Sequence, residues 1–151
     1  MSAAALDSST LISLAWAGQL GLLAHAPVSM VVPDVVRAET VASGLASGHP
    51  DAAAIEAAIA PLAGVETEPA GSVDQAVLAA ALGVGTLVSN DLALGRRAAN
   101  LGVRWLRTAD LLILCVKTGT VSQDDGCAAL NALHAAGRLT SALLTSYLEE
   151  I

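Results

Sequence analysis

The residues of this chain best suited to chemistry are four carboxylates that lie far apart in the sequence. They are Asp7, Glu39, Asp74 and Asp91. If they converge in the folded chain, their negative charges repel one another unless the groups are protonated or bridged by a cation. Mg²⁺ and Mn²⁺ take carboxylate and water oxygens and keep open positions for phosphate oxygens. A site of this kind activates water and stabilises a departing oxygen, so the four acids predict metal-dependent phosphodiester hydrolysis.

Each acid also has an ordinary structural explanation, which the sequence leaves open. Asp7 and Asp91 are suited to capping the helices that follow them. Asp74 is suited to the first turn of a helix, where a negative charge interacts favourably with the helix dipole. Glu39 is compatible with a solvent-exposed position on its helix. The ordinary explanations account less well for the four acids together, because two of them follow strand-like segments and the other two lie near the starts of helices.

The stretch 73–103 is predicted to position two of these acids through a helix, a strand and a second helix. Asp74 opens the first helix, whose apolar residues recur at the spacing i, i+3, i+4. Gly83 and Gly85 end that helix, and Thr86–Val88 is a short apolar segment typical of a strand. Asp91 lies in the polar turn after this strand. In open parallel sheets, the carboxyl ends of the strands line the ligand crevice.

The rest of the chain alternates between strand-like and helical patterns, which is typical of parallel βαβ units. Strands are predicted at 3–6, 28–32, 64–68 and 103–106, helices at 11–23, 34–42, 51–62, 109–117, 123–136 and 140–151, and turns at 44–50 and 69–71. Glu39 follows Val35 and Val36 by helical spacings, which predicts that it lies on the apolar side of its helix. A buried charge there would need a compensating partner. Thr108 is predicted to cap the helix that follows it.

These patterns predict an α/β fold, a three-layer α/β/α sandwich with a mainly parallel sheet of four or five strands, in a single domain covering residues 1–151. Composition agrees, since 54% of the 151 residues are apolar and 14% are charged, which argues against disorder. The net charge is −7, so the molecule as a whole does not attract polyanions. Most of its cations nevertheless lie between Arg96 and Lys117, which is compatible with a local phosphate site. Its three aromatic residues are fewer than a protein built on base stacking normally uses.

The cysteines and the N-terminal stretch favour the cytosol. Cys115 and Cys127 lie in predicted helices with no CxxC motif, so we expect buried thiols in a reducing compartment. The uncharged stretch 8–33 is interrupted by His25 and Pro27, whereas a membrane span needs about 20 predominantly apolar residues. Residues 1–6 carry no Lys or Arg, unlike the start of a signal peptide. We therefore predict a cytoplasmic protein with no membrane partner.

Other catalytic patterns are incomplete. Asp7-Ser8-Ser9 lacks the second Asp of the nucleophile motif in haloacid-dehalogenase-like phosphatases. A small-molecule phosphohydrolase is therefore an alternative function for which the sequence offers no nucleophile motif. Gly83-Val84-Gly85 precedes a strand instead of following one, and no GKS or GKT triplet exists for a P-loop. The histidines lack ligand spacing, and no G-x-S-x-G elbow supports a serine hydrolase.

The order and spacing of the four acids resemble those of PIN domains over nearly the whole chain. The matching segments are Leu6-Asp7-Ser8-Ser9, Glu39 in the helix after Val31-Val32-Pro33, Asp74 in VDQAVLAAAL, and Val88-Ser89-Asn90-Asp91. PIN domains are metal-dependent nucleases, and many are VapC-like toxins of bacterial toxin–antitoxin pairs. The resemblance implies an endoribonuclease that cuts single-stranded or structured RNA with metal-activated water. It implies Asp7, Glu39, Asp74 and Asp91 as catalytic residues and as ligands of Mg²⁺ or Mn²⁺.

The same resemblance implies supporting residues and partners. Ser8 and Ser89 match polar positions beside the first and last acids, where they would position water or phosphate. Arg96 and Arg97 follow Asp91 by about 1.5 helical turns and are assigned to phosphate and RNA binding, with a solvent-exposed helix face as the alternative. The implied partners are an RNA substrate, an antitoxin protein and a second copy of the chain, since many PIN proteins self-associate. The alternative function is a non-catalytic PIN-fold binding or interaction module, and the C-terminal part resembles stand-alone PIN proteins as much as toxins.

Overall fold

The strands of this protein form one parallel sheet of five strands in the order β3-β2-β1-β4-β5. The computed structural model describes residues 3–42, 48, 51–66 and 72–151. The strands are β1 (Ala3–Leu6), β2 (Ser29–Pro33), β3 (Ala63–Val65), β4 (Thr86–Val88) and β5 (Arg104–Leu106). β1 and β4 lie at the centre, and Leu6, Leu87 and Val88 are completely buried there. The central strands are therefore covered on both faces, as their uninterrupted apolar sequences require.

Eight α-helices pack around the sheet in the described residues. They are α1 (Ser8–Trp16), α2 (Asp34–Arg37), α3 (Asp51–Ile59), α4 (Val73–Val84), α5 (Leu92–Asn100), α6 (Thr108–Lys117), α7 (Gln123–Ala135) and α8 (Ser141–Glu150). A 3₁₀ helix at Leu20–Ala24 follows α1, and a π-helical turn at Ala38–Ala42 continues α2. α4 contacts β1, β2 and β4, and α5 contacts β5, whereas α1 contacts α3, α6 and α7. The predicted three-layer α/β/α sandwich is confirmed.

Local sequence explains the helix that leads into the central strand. Ser72 caps α4, because its Oγ accepts the Gln75 N–H at 3.1 Å and the Gln75 side chain accepts the Ser72 N–H at 3.1 Å. This reciprocal pair satisfies two amide groups that a helix start leaves without partners. Gly85 ends the helix with φ 95°, a left-handed conformation that glycine adopts without steric cost. β4 begins at the next residue, as predicted.

The strand order creates a topological switch point between β1 and β4. The connection from β1 leads through α1 to β2 on one side, and the connection from β4 leads through α5 to β5 on the other. The two chain segments that leave these neighbouring strands therefore diverge at the carboxyl edge of the sheet. Open parallel sheets bind ligands at such a point. Asp7 follows β1 directly, and Asp91 lies three residues after β4.

Several predicted boundaries were wrong for identifiable reasons. The helix predicted at 11–23 begins at Ser8 and stops at Trp16, because Gly18 has φ 69° and interrupts the helical conformation. Thr108 is the first residue of α6, not its cap. Its hydroxyl donates instead to Thr10 Oγ1 at 3.2 Å. Residues 67 and 68 of the predicted edge strand, and most of the predicted turns at 44–50 and 69–71, lie outside the described residues.

No described helix combines the length and apolarity that a membrane crossing needs.

The two cysteines are free thiols. Cys115 is completely buried, and burial raises the pKa of its thiol to about 11. Cys127 is only half-buried, contrary to the expectation that both thiols are buried. A thiol with a raised pKa is a poor nucleophile at neutral pH, so Cys115 is a packing residue.

Two helical glycines give opposite expectations for the same substitution. A Cβ added at Gly95 in α5 would overlap the indole ring of Trp105, whereas one added at Gly83 in α4 meets nothing within 4 Å. We expect Gly95→Ala to lower the free energy of unfolding by about 1–3 kcal/mol through overpacking. Gly83→Ala should raise it by about 0.5–1 kcal/mol, since alanine favours helix over glycine. Urea denaturation of the two variants measures both values, and equal effects would contradict the packing of α5 on Trp105.

Candidate active site at the carboxyl edge of the sheet

Asp7 is a nearly buried carboxylate at the switch point. The residue is 6% exposed, and its backbone N–H extends the central pairing by donating to the Val88 carbonyl at 3.0 Å. Its Oδ2 accepts hydrogen bonds from Ser89 Oγ at 2.7 Å and from Ser9 Oγ at 2.9 Å. These hydroxyl groups replace the water that a buried carboxylate loses. The expectation that Asp7 caps α1 with its side chain is not met, since the cap lacks a side-chain hydrogen bond.

Ser89 connects Asp7 to the second acid at this edge. Ser89 is completely buried, and while its Oγ donates to Asp7, the same oxygen accepts the Asp91 N–H at 3.0 Å. Asp91 in turn caps α5, because its Oδ1 accepts the Leu94 N–H at 3.1 Å. The structural role foreseen for Asp91 is therefore present, and it occupies only one of the two carboxylate oxygens. One hydroxyl thus joins the turn after β1 to the turn after β4.

Glu39 approaches the same edge through Ser8. The Ser8 hydroxyl donates to Glu39 Oε2 at 2.8 Å, and Ser8 is the neighbour of Asp7 in the chain. The expectation that Glu39 lies on the apolar side of its helix was wrong, because the residue is exposed while Thr40 and Val41 are buried. The cause is the π-helical turn at Ala38–Ala42, in which the 3.6-residue period that predicted the buried face no longer applies.

Asp74 lies in the first turn of α4 and is exposed. α4 packs on β1 and β4 and joins β4 through the turn at Gly85, so it runs antiparallel to that strand. Its N-terminal turn therefore lies toward the edge where the strand ends. This is the position of an acid that interacts favourably with the helix dipole, and it is also on the side of the sheet edge that carries Asp7.

The described donors at this edge suit a hard divalent cation. Asp7, Asp91 and Glu39 offer carboxylate oxygens, and Mg²⁺ is commonly bound through one or two carboxylates while water and substrate phosphates complete its coordination. Within residues 3–42, 51–66 and 72–151, no three His, Cys, Asp or Glu side chains lie close enough together to hold an ion by themselves. Asp7 and Asp91, which are joined through Ser89, fit the one or two carboxylates by which Mg²⁺ is commonly bound. The full set of four ligands stays a prediction.

Sequence reasoning missed two residues that organise the site. Ser9, not Ser8, contacts Asp7, and its Oγ also accepts the Asn90 N–H at 3.0 Å. The Asn90 side chain bridges two elements, since its Nδ2 donates to Ser13 Oγ at 2.9 Å and its Oδ1 accepts the Thr108 N–H at 3.1 Å. The polar residues that follow β1 and β4 in the sequence indicated that this edge is polar. They did not indicate which serine of a neighbouring pair would contact the acid.

Arg96 and Arg97 are exposed on α5, as the alternative interpretation of these residues expects. Their assignment to phosphate and RNA binding stays a prediction. Two other arginines, Arg107 and Arg138, line a cavity next to Asp91. Arg138 was not singled out in the sequence, because it belongs to a turn far along the chain from the acids.

Comparison with known proteins agrees with this fold. A family model described as a PIN domain (DUF3368) matches residues 3–151, so the chain belongs to this family. PIN domains are usually nucleases, which hydrolyse phosphodiester bonds of nucleic acids, and they typically use divalent metal ions. No curated protein matches the chain.

Removal of the Ser89 hydroxyl tests its central position. In Ser89→Ala, Asp7 loses one of two hydroxyl donors and the Asp91 N–H loses its acceptor. We expect the free energy of unfolding to fall by about 1–3 kcal/mol, the cost of leaving buried polar groups without partners. Ser146→Ala, at an exposed position on α8, is the matched control and should change the free energy of unfolding by less than about 0.5 kcal/mol. Indistinguishable denaturation curves for the two variants would contradict this role of Ser89.

Proposed function

We propose that this protein, as a member of the PIN domain family, is a Mg²⁺- or Mn²⁺-dependent endoribonuclease. The observation that carries the proposal is the connection of Asp7 to Asp91 through the buried hydroxyl of Ser89. Two carboxylates at the carboxyl edge of neighbouring parallel strands occupy the place where such sheets bind ligands. The substrate in this proposal is an RNA phosphodiester, which water cleaves.

The roles proposed for the acids follow from their surroundings. Asp7 and Asp91 would hold the divalent ion, with Glu39 and Asp74 completing its charge balance as ligands or through water. The ion, when bound, supplies a Lewis acid that activates water and stabilises charge on the phosphodiester. Ser9 and Ser89 keep Asp7 Oδ2 in one position, so the carboxylate needs little rearrangement before the reaction. Ser8 performs the corresponding function for Glu39.

We infer further that the protein acts in the cytoplasm as the toxin of a type II toxin–antitoxin pair. The support is the resemblance of its four-acid pattern to PIN domains, many of which are VapC-like toxins. An antitoxin protein is then its partner, and the protein self-associates as a homodimer. Co-purification of an adjacent, separately encoded small protein would support this part of the proposal, and unimpaired growth of cells that overproduce the active protein alone would contradict it.

A non-catalytic PIN-fold binding module is the second candidate. The observation in its favour is that the described residues bring no three carboxylates close enough to hold an ion by themselves. Incubation of the purified protein with mixed RNA, with Mn²⁺ and separately with a chelator, distinguishes the candidates. Cleavage that the chelator abolishes supports the nuclease, and intact RNA under all conditions supports the binding module.

Asp91→Asn separates the catalytic charge of Asp91 from its structural role. Asparagine caps a helix about as well as aspartate, so the fold and the thermal midpoint should be retained. Loss of one carboxylate should lower the cleavage rate on the order of 10²–10³-fold, equivalent to several kcal/mol of transition-state stabilisation. Asp124→Asn, at an exposed position in the first turn of α7, is the control and should cleave RNA as the parent does. The proposal fails if the two variants have equal rates.

Metal binding by Asp7 can be measured without any cleavage assay. An ion that binds only the folded state at about 100 times its dissociation constant stabilises that state by about 2.7 kcal/mol. We expect Mn²⁺ to raise the thermal midpoint of the parent and of Asp124→Asn, and to leave that of Asp7→Asn nearly unchanged. An equal increase in all three proteins would show that the ion binds elsewhere.

A further inference from the structure

A cavity of about 560 Å³ lies beside the candidate active site. Asp91 belongs to that site and also lines the cavity. It extends from Ser9 in the first turn of α1 and from the turn after β4 to the turn between α7 and α8. Its lining includes the polar residues Ser9 and Asn90 and the apolar residues Leu133 and Leu143. This volume falls in the range of sites that bind small molecules, so it suits one or two nucleotides of a single strand better than a duplex.

Arg107 is held in the cavity wall by aromatic and backbone contacts. Its guanidinium lies 4.9 Å from the ring centroid of Trp105, a favourable cation–π distance. Its backbone N–H donates to Asp110 Oδ2 at 2.8 Å, and the hydroxyl of Tyr147 donates to Asp110 Oδ1 at 2.8 Å. Burial raises the pKa of Tyr147 to about 12, so this hydroxyl stays a donor at neutral pH.

Arg138 also lines the cavity and is held there by a second set of contacts. Its guanidinium lies 4.9 Å from the ring centroid of Trp16. Its Nε donates to Ser13 Oγ at 2.9 Å, and an η nitrogen donates to the Ser9 carbonyl at 3.4 Å. These acceptors are neutral. Within the described part of the chain, neither Arg138 nor Arg107 forms an ion pair with a carboxylate, unlike Lys117, which pairs with Glu150 at 3.1 Å.

The combination of arginines and leucines in this cavity favours the binding of an anion that also has an apolar portion. Two half-buried guanidinium groups without carboxylate partners attract phosphate, which arginine binds through paired hydrogen bonds. The leucines of the cavity lining suit the face of a base or a sugar. A strand whose reacting phosphate lies at the acids would extend directly into this cavity, because Asp91 borders both.

We propose that this cleft, defined by Asp91, Arg107, Arg138, Thr140 and Leu143, binds the RNA backbone next to the cleaved bond, with Arg107 and Arg138 contacting its phosphates. The inference rests on the proposed function for the identity of the strand. It assigns the phosphate contacts to the cleft instead of the exposed face of α5 that carries Arg96 and Arg97.

A charge placed at Thr140 tests the cleft without weakening the fold. Thr140 caps α8, its Oγ1 accepting the Leu143 N–H at 3.3 Å, and aspartate caps a helix at least as well as threonine. Thr140→Asp should therefore fold normally but weaken binding of a fluorescent single-stranded oligoribonucleotide about tenfold, through repulsion of its phosphates. Ser122→Asp makes the same charge change at the cap of α7, outside the cleft, and should leave binding unchanged. Anisotropy in the presence of a chelator measures binding without cleavage.

The salt dependence of binding counts the phosphate contacts. Each single-strand contact contributes about 0.7 to the slope of log affinity against log salt, so Arg107→Gln with Arg138→Gln should reduce the slope by about 1.4. Lys117→Gln is the charge control and should leave it unchanged. A slope that falls with Arg96→Gln and Arg97→Gln, but not with the cleft variants, overturns the inference. If the glutamine variants are unstable, the pair Thr140→Asp and Ser122→Asp decides alone.

The outcomes also separate this inference from the proposed function. If the parent binds RNA through the cleft in chelator but cleaves nothing with Mn²⁺, the cleft is supported and the nuclease proposal fails. If the parent cleaves RNA and Thr140→Asp cleaves it with an unchanged KM, the cleft is overturned and the nuclease stands. Absence of RNA binding by the parent overturns the cleft.

Discussion

The burial of the Asp7 carboxylate is the constraint on which this edge of the molecule depends. A carboxylate that is 6% exposed needs hydrogen bonds in place of water, and the donors are Ser9 in the first turn of α1 and Ser89 in the turn after β4. Because these turns belong to segments that diverge from neighbouring strands, the charge fixes their relative position. Asp91 is tied to the same arrangement through the Ser89 oxygen. A change in either turn therefore reaches the other through one side chain.

The distribution of charge reconciles an acidic chain with an anionic substrate. The net charge is −7, but at an ionic strength of about 0.1 M charges more than about 10 Å apart are largely screened. A phosphate in the cleft would respond chiefly to the guanidinium groups of Arg107 and Arg138, which line it. Both guanidinium groups stack on tryptophan rings, and that of Arg138 also donates to neutral oxygens, so these contacts retain the positive charge instead of cancelling it. The local charge, not the net charge, then determines how strongly a phosphate is attracted to the cleft.

The sequence predicted correctly those features that are determined by residues adjacent in the chain, and it failed for features that depend on contacts between distant residues. Thr86–Val88 was predicted correctly because an apolar run and a following polar turn are features of adjacent residues. The face of Glu39 was wrong because a π-helical turn changes the period on which the argument rested. Ser9 was overlooked because both serines after Asp7 are polar, and only packing decides which one turns to the carboxylate. The contact of Arg138 with Ser13 spans 125 positions, and no local pattern contains information about it.

The two tryptophans of the chain both lie under arginines of the cleft wall, Trp16 beneath Arg138 and Trp105 beneath Arg107. Trp105 also donates its indole N–H to the Ser89 carbonyl at 2.9 Å, so its ring is linked to the residue that joins Asp7 to Asp91. Indole emission is sensitive to nearby charge and solvent. The intrinsic fluorescence of this protein therefore originates almost entirely beside these two arginines, and the molecule carries its own optical reporter of whatever binds to them.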